Sequence, residues 1–237
     1  MRKIIFIFIL TMGIFCGAIG CTSKDNLILE DEITNQEEQL AEEEHGIQFP
    51  YTIDDYKIEI ESLSMATFPN PDAGGEKGED IACLEIKNTT GQFILKANLV
   101  MTLEDGSSYE FQVFDLPDAE TILAFEINNS GYDGKTACES IKVVEIEMAE
   151  EVESLKEIFS IEVNETEVTM TNISERDISE FTITCHCKFD ESYFGGISYS
   201  YIVEGVSAAE TLSVDALECY LGEAEVVRLR MDGIDYI

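Results

Sequence analysis

From Phe49 onward, apolar and polar residues alternate with a period of two, which is typical of β-strands with one buried and one solvent-facing side. Tyr56, Ile58 and Ile60 share one face of such a segment, and the alternation recurs along residues 93–104. Further alternating segments are 82–87, 108–114, 121–127 and 141–148. Short runs of Asn, Asp and Gly between them are typical of turns. The pattern predicts an all-β body made of antiparallel β-sandwiches.

The second half of this body repeats the order of the first. The matched segments are 84–88 with 168–172, 97–103 with 181–187, 119–121 with 209–211, and 143–148 with 226–231. The spacing between matched positions is 84, then 90, then 83, which indicates an insertion at Asp190–Gly196, in place of Glu104–Gly106. We therefore predict two tandem sandwich domains, residues 49–150 and residues 151–237.

Three motifs of the first repeat resemble those of the small immunoglobulin-like modules of Gram-positive lipoproteins, notably the FxLYD kind. They are Ile86-Lys87-Asn88-Thr89, Met101-Thr102-Leu103-Glu104-Asp105-Gly106 and Leu116-Pro117-Asp118-Ala119-Glu120-Thr121. The second repeat keeps Lys188-Phe189-Asp190 and Val206-Ser207-Ala208-Ala209-Glu210-Thr211. The resemblance implies that both domains are immunoglobulin-like. It carries over no catalytic residue.

Residues 1–20 have the pattern of an export signal. Arg2 and Lys3 precede an apolar run that continues to Gly20 with one polar interruption at Thr11. The run ends in Ala18-Ile19-Gly20-Cys21, which resembles the lipobox of bacterial lipoproteins and implies a diacylated Cys21 at the mature amino terminus. We therefore expect a cell-membrane protein, lipid-anchored through Cys21 at the extracytoplasmic face. The alternative is an uncleaved membrane anchor, since a spanning helix needs about 20 apolar residues.

Residues 21–48 hold the predicted lipid-bearing cysteine and an acidic tether. Nine acidic residues between Cys21 and Phe49 are opposed by Lys24 alone, and like charges at this density extend a chain. The segment is interpreted either as a stalk that holds the body away from the lipid surface or as a solvated spacer.

The net charge of the chain limits the kinds of molecule that it can bind. The chain has 49 acidic residues against 14 Lys and Arg and a formal net charge of -35. A nucleic-acid partner is excluded on this basis, because phosphate binding requires a positive surface. We therefore expect contact with the membrane through the lipid on Cys21, and a partner that is an envelope protein or wall component.

Export permits disulfide bonds, and five cysteines follow Cys21. Cys83 and Cys138 fall at the same end of the first predicted sandwich, with Cys83 on its polar face. Cys219 and either Cys185 or Cys187 fall at the equivalent end of the second, so a bridge in each domain is geometrically possible. Two bridges would leave one thiol over.

Cys185-His186-Cys187 also suggests a metal or nucleophile site. On a regular strand, however, the two thiols share one face and His186 takes the other, so all three cannot bind one ion. Core packing, a disulfide to Cys219 and metal binding remain as alternatives for the thiols.

Residues 69–80 are predicted to be an acidic loop, for which oxygen ligands leave calcium binding open. The chain has no motif that places a histidine beside a nucleophile, and no phosphate-binding glycine loop. We therefore expect a non-catalytic envelope lipoprotein without a cofactor, which presents interaction or spacer domains. A solute- or calcium-binding module is the alternative.

Overall fold

The computed structural model describes residues 46–149, 152–219 and 222–237. The strands are β1 (Tyr51–Ile53), β2 (Ile58–Asn70), β3 (Glu76–Asn88), β4 (Ile94–Leu103), β5 (Ser108–Leu116), β6 (Thr121–Phe125), β7 (Cys138–Met148), β8 (Phe159–Asn164), β9 (Glu167–Asn172), β10 (Ile178–Phe189), β11 (Ser192–Phe194), β12 (Tyr199–Val206), β13 (Thr211–Asp215), β14 (Glu223–Met231) and β15 (Ile234–Tyr236). Three short 3-10 helices are η1 (Pro71–Ala73), η2 (Leu155–Glu157) and η3 (Leu217–Cys219). These elements confirm the predicted all-β class. Over the described ranges, no helix has the length and apolar character needed to cross a membrane.

Residues 46–149, the amino-terminal half, place two sheets around one core. Strands β1, β2, β3 and β6 are neighbours in one sheet, and β5, β4 and β7 form the other. Their inward side chains, such as Leu84, Ile122, Leu99 and Phe111, are fully buried in a single hydrophobic cluster. The period-two alternation produces this core because every second residue of each strand points into it.

Residues 152–237, the carboxy-terminal half, repeat these pairings. Strand β10 pairs with β12 and β14 as β4 pairs with β5 and β7, and β9 pairs with β8 and β13 as β3 pairs with β2 and β6. A second hydrophobic cluster, which includes Phe181, Ile183 and Met170, fills this half. The register repeats as well, since Leu99 pairs with Phe111 and Ile183 with Tyr201.

One predicted match is wrong in register. Val226 pairs with Cys185, and the residue that pairs with the equivalent Met101 is Ile141 rather than Val143. Irregularities in β7 and β14 explain the difference, because each bulge adds a residue on one strand without a partner on the other.

The same asparagine motif recurs in the two halves. Asn88 Nδ2 lies 2.8, 3.0 and 3.0 Å from the carbonyl oxygens of Gln92, Leu116 and Pro117. Asn172 Nδ2 lies 2.9, 3.3 and 3.2 Å from those of Arg176, Val206 and Ser207. Both asparagines are fully buried. In each half the asparagine side chain thus links the end of its strand, β3 or β9, by hydrogen bonds to the turn that precedes β6 or β13.

A nine-stranded sheet runs through both halves. The insertion found by sequence forms β11, which pairs antiparallel with β10 and parallel with β6. Tyr193 is opposite Ile122, and Phe194 is opposite Leu123. This link between the halves was not predicted. The division at residues 150 and 151 and the immunoglobulin-like assignment remain predictions.

Two segment boundaries differ from expectation. Residues 69–80 are not a twelve-residue loop, because β2 extends to Asn70, η1 makes the turn and β3 begins at Glu76. Ile47, which the sequence places in the tether, belongs to the body. Its N–H donates to the carbonyl oxygen of Cys138 at 2.7 Å, and its side chain packs against the first core.

Candidate functional site

A group of buried and partly buried residues makes polar contacts where the two halves meet, and we call this surface the joint. The amino-terminal half contributes Asp72, Phe114, Asp115 and Glu120. The carboxy-terminal half contributes His186, Lys188, Tyr193, Gly196, Ser198, Glu225 and Arg228. The joint contains His186, which the sequence suggested as part of a metal or nucleophile site. The contacts of His186 at the joint therefore decide whether its ring can take part in a reaction.

Asp72 on η1 anchors the insertion. Its side-chain oxygens accept hydrogen bonds from the backbone N–H groups of Phe125 at 2.7 Å, Gly196 at 2.8 Å and Ile197 at 3.2 Å. Asn70 caps η1 by accepting from the Asp72 N–H. Desolvation nevertheless raises the pKa of Asp72 to about 6, against the opposing effect of the three donors.

This pKa predicts a pH-dependent stability. Because the folded-state pKa is above the ordinary 3.8, the contribution of Asp72 is fully present below about pH 4 and is lost as pH rises through about 6. The loss is about 2–3 kcal/mol in the free energy of unfolding. Carbon-13 carboxyl shifts should show a titration midpoint near pH 6 for Asp72.

Asp133 is the matched control for that titration. It also accepts backbone hydrogen bonds, from Lys135 and Thr136 at 2.8 Å, but it is exposed, and these donors lower its pKa. A midpoint for Asp72 as low as that of Asp133 would show that desolvation does not dominate at the joint.

Asp115 lies at the centre of the joint and is almost completely buried. Ser198 donates a hydrogen bond to its Oδ2, and the Nε of Arg228 lies 2.9 Å from its Oδ1. Arg228 also forms an ion pair with Asp235 at 3.3 Å. Asp115 and Arg228 thus pair across the two halves, and removal of Arg228 would leave the buried carboxylate of Asp115 without its charged partner.

His186 is fully buried and makes its polar contact across the joint. Its Nε2 lies 2.9 Å from the carbonyl oxygen of Phe114 and 3.1 Å from that of Asp115. Since both partners are acceptors, Nε2 carries the hydrogen in the neutral ring. Burial lowers the pKa of His186, so its stabilising contribution is present above pH 6.5 and is lost as pH falls.

The histidine has no geometry for catalysis in the described part of the chain. Its ring stacks on Tyr193, with centroids 4.7 Å apart, and Nδ1 is buried without a hydrogen-bond partner there. A general base must reach the proton that it removes, and this ring is enclosed by protein. His186 therefore holds the two halves together.

Lys188 adds a charged bridge at the edge of the joint. Its Nζ lies 3.3 Å from Glu120 in the amino-terminal half and 3.1 Å from Glu225 in the carboxy-terminal half. Tyr193 donates a hydrogen bond to Glu225 at 3.0 Å, and Lys188 lies over the ring of that tyrosine. Lys188, one of the few basic residues of the chain, thus forms ion pairs with both halves.

Cys83 is not on a polar face, contrary to prediction. It is buried beside Ile81 and Phe125, and Phe194 from the insertion packs against the same cluster. Rings of Phe68, Phe125 and Phe194 contact one another with centroids 4.5 to 5.3 Å apart. The sequence prediction failed because the cover over this second face of β3 comes from a distant part of the chain.

The bridge predicted between Cys83 and Cys138 is not formed. Cys138 belongs to the core between the two amino-terminal sheets, together with Ala82 and Leu84. Cys83 lies between these two residues in β3, so its side chain points to the opposite face. All five cysteines of the body are buried and free, and Cys185, Cys187 and Cys219 share the second core.

Cys21, predicted to carry lipid, and most of the predicted tether lie outside the described residues. Within the described ranges, no group of three or more His, Cys, Asp or Glu side chains is placed to hold a metal ion. The carboxylate of Asp72, one of the four acids in the predicted acidic loop 69–80, faces the joint and accepts the N–H of Gly196.

Two surface depressions lie away from the joint. An open depression of about 600 Å³ is lined by Gly46, Ile47, Glu104 and Glu139. A smaller one of about 150 Å³ lies on the β5-β4-β7 sheet, where Asn98 and Val144 are among its lining residues. Neither is lined by a histidine or cysteine.

By fold, the described part of the chain is all-β, and its strands pair antiparallel except for the parallel pair of β6 and β11. No protein-family model matches the chain, and a search of curated proteins finds no significant relative. Function has therefore to be argued from the residues themselves.

Proposed function

We propose that the chain is a non-catalytic envelope lipoprotein, anchored through lipid on Cys21. Its body, with two related immunoglobulin-like sandwiches, presents an acidic surface to another envelope protein or a wall component. One observation carries the non-catalytic part of this proposal: His186, Asp115 and Asp72 are all used in the joint, where their polar atoms bind the other half of the chain.

Several further features support the proposal. The apolar run that ends at Cys21 has the pattern of a cleaved export signal, and the following acidic residues suit a segment exposed to water. The repeated strand pairings and the repeated asparagine motif of Asn88 and Asn172 agree with the resemblance to small lipoprotein modules. The net charge of -35 disfavours direct contact with anionic lipid, so the acyl chains would supply membrane attachment.

Substitution of the proposed lipid site tests the proposal directly. Cells that express the full chain are fed an alkyne fatty acid, and the labelled protein is detected after membrane fractionation. We expect acyl label on the wild-type chain in the membrane fraction, and a fall to background for Cys21→Ser, because serine lacks the sulfur that is acylated.

Cys16→Ser is the matched control, since Cys16 lies in the same apolar run but not at the motif. It should keep both label and fractionation. Absence of label on a membrane-bound, unprocessed wild-type chain would contradict the lipoprotein proposal and favour the uncleaved helical anchor.

A further inference from the structure

Three thiols lie in one buried cluster of the carboxy-terminal half. Cys185 and Cys187 are on the inward face of β10, and Cys219 ends η3, which lies against that strand. Their exposed fractions are 0%, 4% and 0%. The sequence could not decide which of the two thiols on β10 would pair with Cys219.

The contacts distinguish Cys187 from Cys185. The sulfur of Cys187 lies 3.7 Å from the carbonyl oxygen of Glu218, the residue before Cys219, and interaction with the Cys219 thiol raises the pKa of Cys187. The Cys219 N–H donates to Ala216 at 2.9 Å, and Tyr201 donates to the Glu218 carboxylate, so η3 is held at this position.

We infer that Cys187 and Cys219, which are thiols in the structure, are the pair that oxidises to the single disulfide bond of this body, and that Cys185 remains a thiol. Cys83 and Cys138 also remain thiols, because they face opposite sides of β3 in the other half. The bond would close a loop that contains β11, β12 and β13, and it would fasten the insertion that builds the joint. In cells, the inference rests on the proposed extracytoplasmic location.

The reaction is a two-electron oxidation. Each of the two thiols gives up one hydrogen as a proton and an electron, and a sulfur–sulfur bond forms between them. The electrons pass to a disulfide oxidant, either glutathione disulfide or the disulfide of a thiol oxidoreductase, which becomes two thiols. Burial raises the pKa of Cys185, and interaction with the Cys219 thiol together with burial raises that of Cys187, so thiolate attack is expected during folding, before the second core closes.

The test uses the full chain, purified in detergent. One sample is alkylated in denaturant directly after extraction. A second sample is reduced, unfolded and refolded with a mixture of reduced glutathione and glutathione disulfide, and is then alkylated in denaturant. Mass spectrometry locates the linked and alkylated cysteines. Because Cys185 and Cys187 share the tryptic peptide 177–188, fragmentation of the linked peptides is required.

In the refolded sample we expect a link between Cys187 and Cys219, and alkylated Cys83, Cys138 and Cys185. Cys185→Ala, the matched control, should retain the link, and Cys187→Ala should lose it. A link from Cys219 to Cys185 in the wild-type chain, or no link after refolding, would overturn the inference. If the link forms on refolding but is missing from the freshly extracted chain, the pairing stands and the proposed location fails.

Discussion

Replacement of Gly196 by alanine is expected to lower the free energy of unfolding by about 3 kcal/mol or more. An added Cβ would lie 1.8 Å from the carbonyl oxygen of Gln112 and 2.9 Å from its carbon. No side-chain rotation relieves a contact with backbone, so β5 and the insertion would have to separate. Separation would also break the hydrogen bonds from Gly196 to Asp72 and from Phe114 to Gly196.

Guanidinium-induced unfolding of the full chain, followed by circular dichroism, measures this effect. Gly131→Ala is the control, because its nearest contact would be the carbonyl oxygen of Glu79 at 3.9 Å, an ordinary van der Waals distance. We expect a change of about 1 kcal/mol or less for the control. Equal stability of the two variants would show that the insertion does not pack on β5 as described.

Truncation of Asn88 or Asn172 to alanine is expected to cost about 3–5 kcal/mol in each case. Each side chain is buried, its amide NH2 lies within hydrogen-bond distance of three carbonyl oxygens, and its own oxygen accepts from the N–H of Thr90 or Ser174. Alanine would remove these bonds, including the buried one to the carbonyl oxygen of Leu116 or Val206, and each unpaired buried group costs about 1–3 kcal/mol. Similar losses at both positions would indicate equivalent roles in the two halves.

The exposed Asn164 offers a control for the loss of the amide itself. Asn164→Ala should change the free energy of unfolding by about 0.5 kcal/mol or less, because its side chain lies at the surface. If Asn88→Ala were as mild as this control, the buried hydrogen bonds would contribute nothing to holding the strand end against the turn.

Local pattern was sufficient to predict most of the strands. Alternation identified β4 and β5 because both have one side in the core, and the matched Asn88 and Asn172 marked the ends of β3 and β9. Alternation did not predict the full length of β2. The carboxy-terminal part of this strand alternates weakly and is stabilised by pairing with β3. Alternation of apolar and polar residues indicates that one face of a strand is buried. It gives no signal for a strand that is stabilised by backbone pairing alone.

The contacts of the joint could not be predicted from the sequence for a different reason. Asp190–Gly196 was recognised as an insertion, but insertions are ordinarily surface loops, and nothing local shows that Phe194 covers Phe68 and Phe125. Asp72 was interpreted only as one acid of the predicted acidic loop 69–80, because its partners Gly196 and Ile197 lie more than a hundred residues away. Long-range contacts of this kind leave no periodic signal.

The position of β11 also bears on whether one half of the chain could exist alone. β6 has β3 on one side and β11 on the other, so a fragment that ends before the insertion would expose an open strand edge next to aromatic rings. Such edges are templates for self-association. In the intact chain β11 covers this edge of β6, and we expect residues 46–149 alone to self-associate through it.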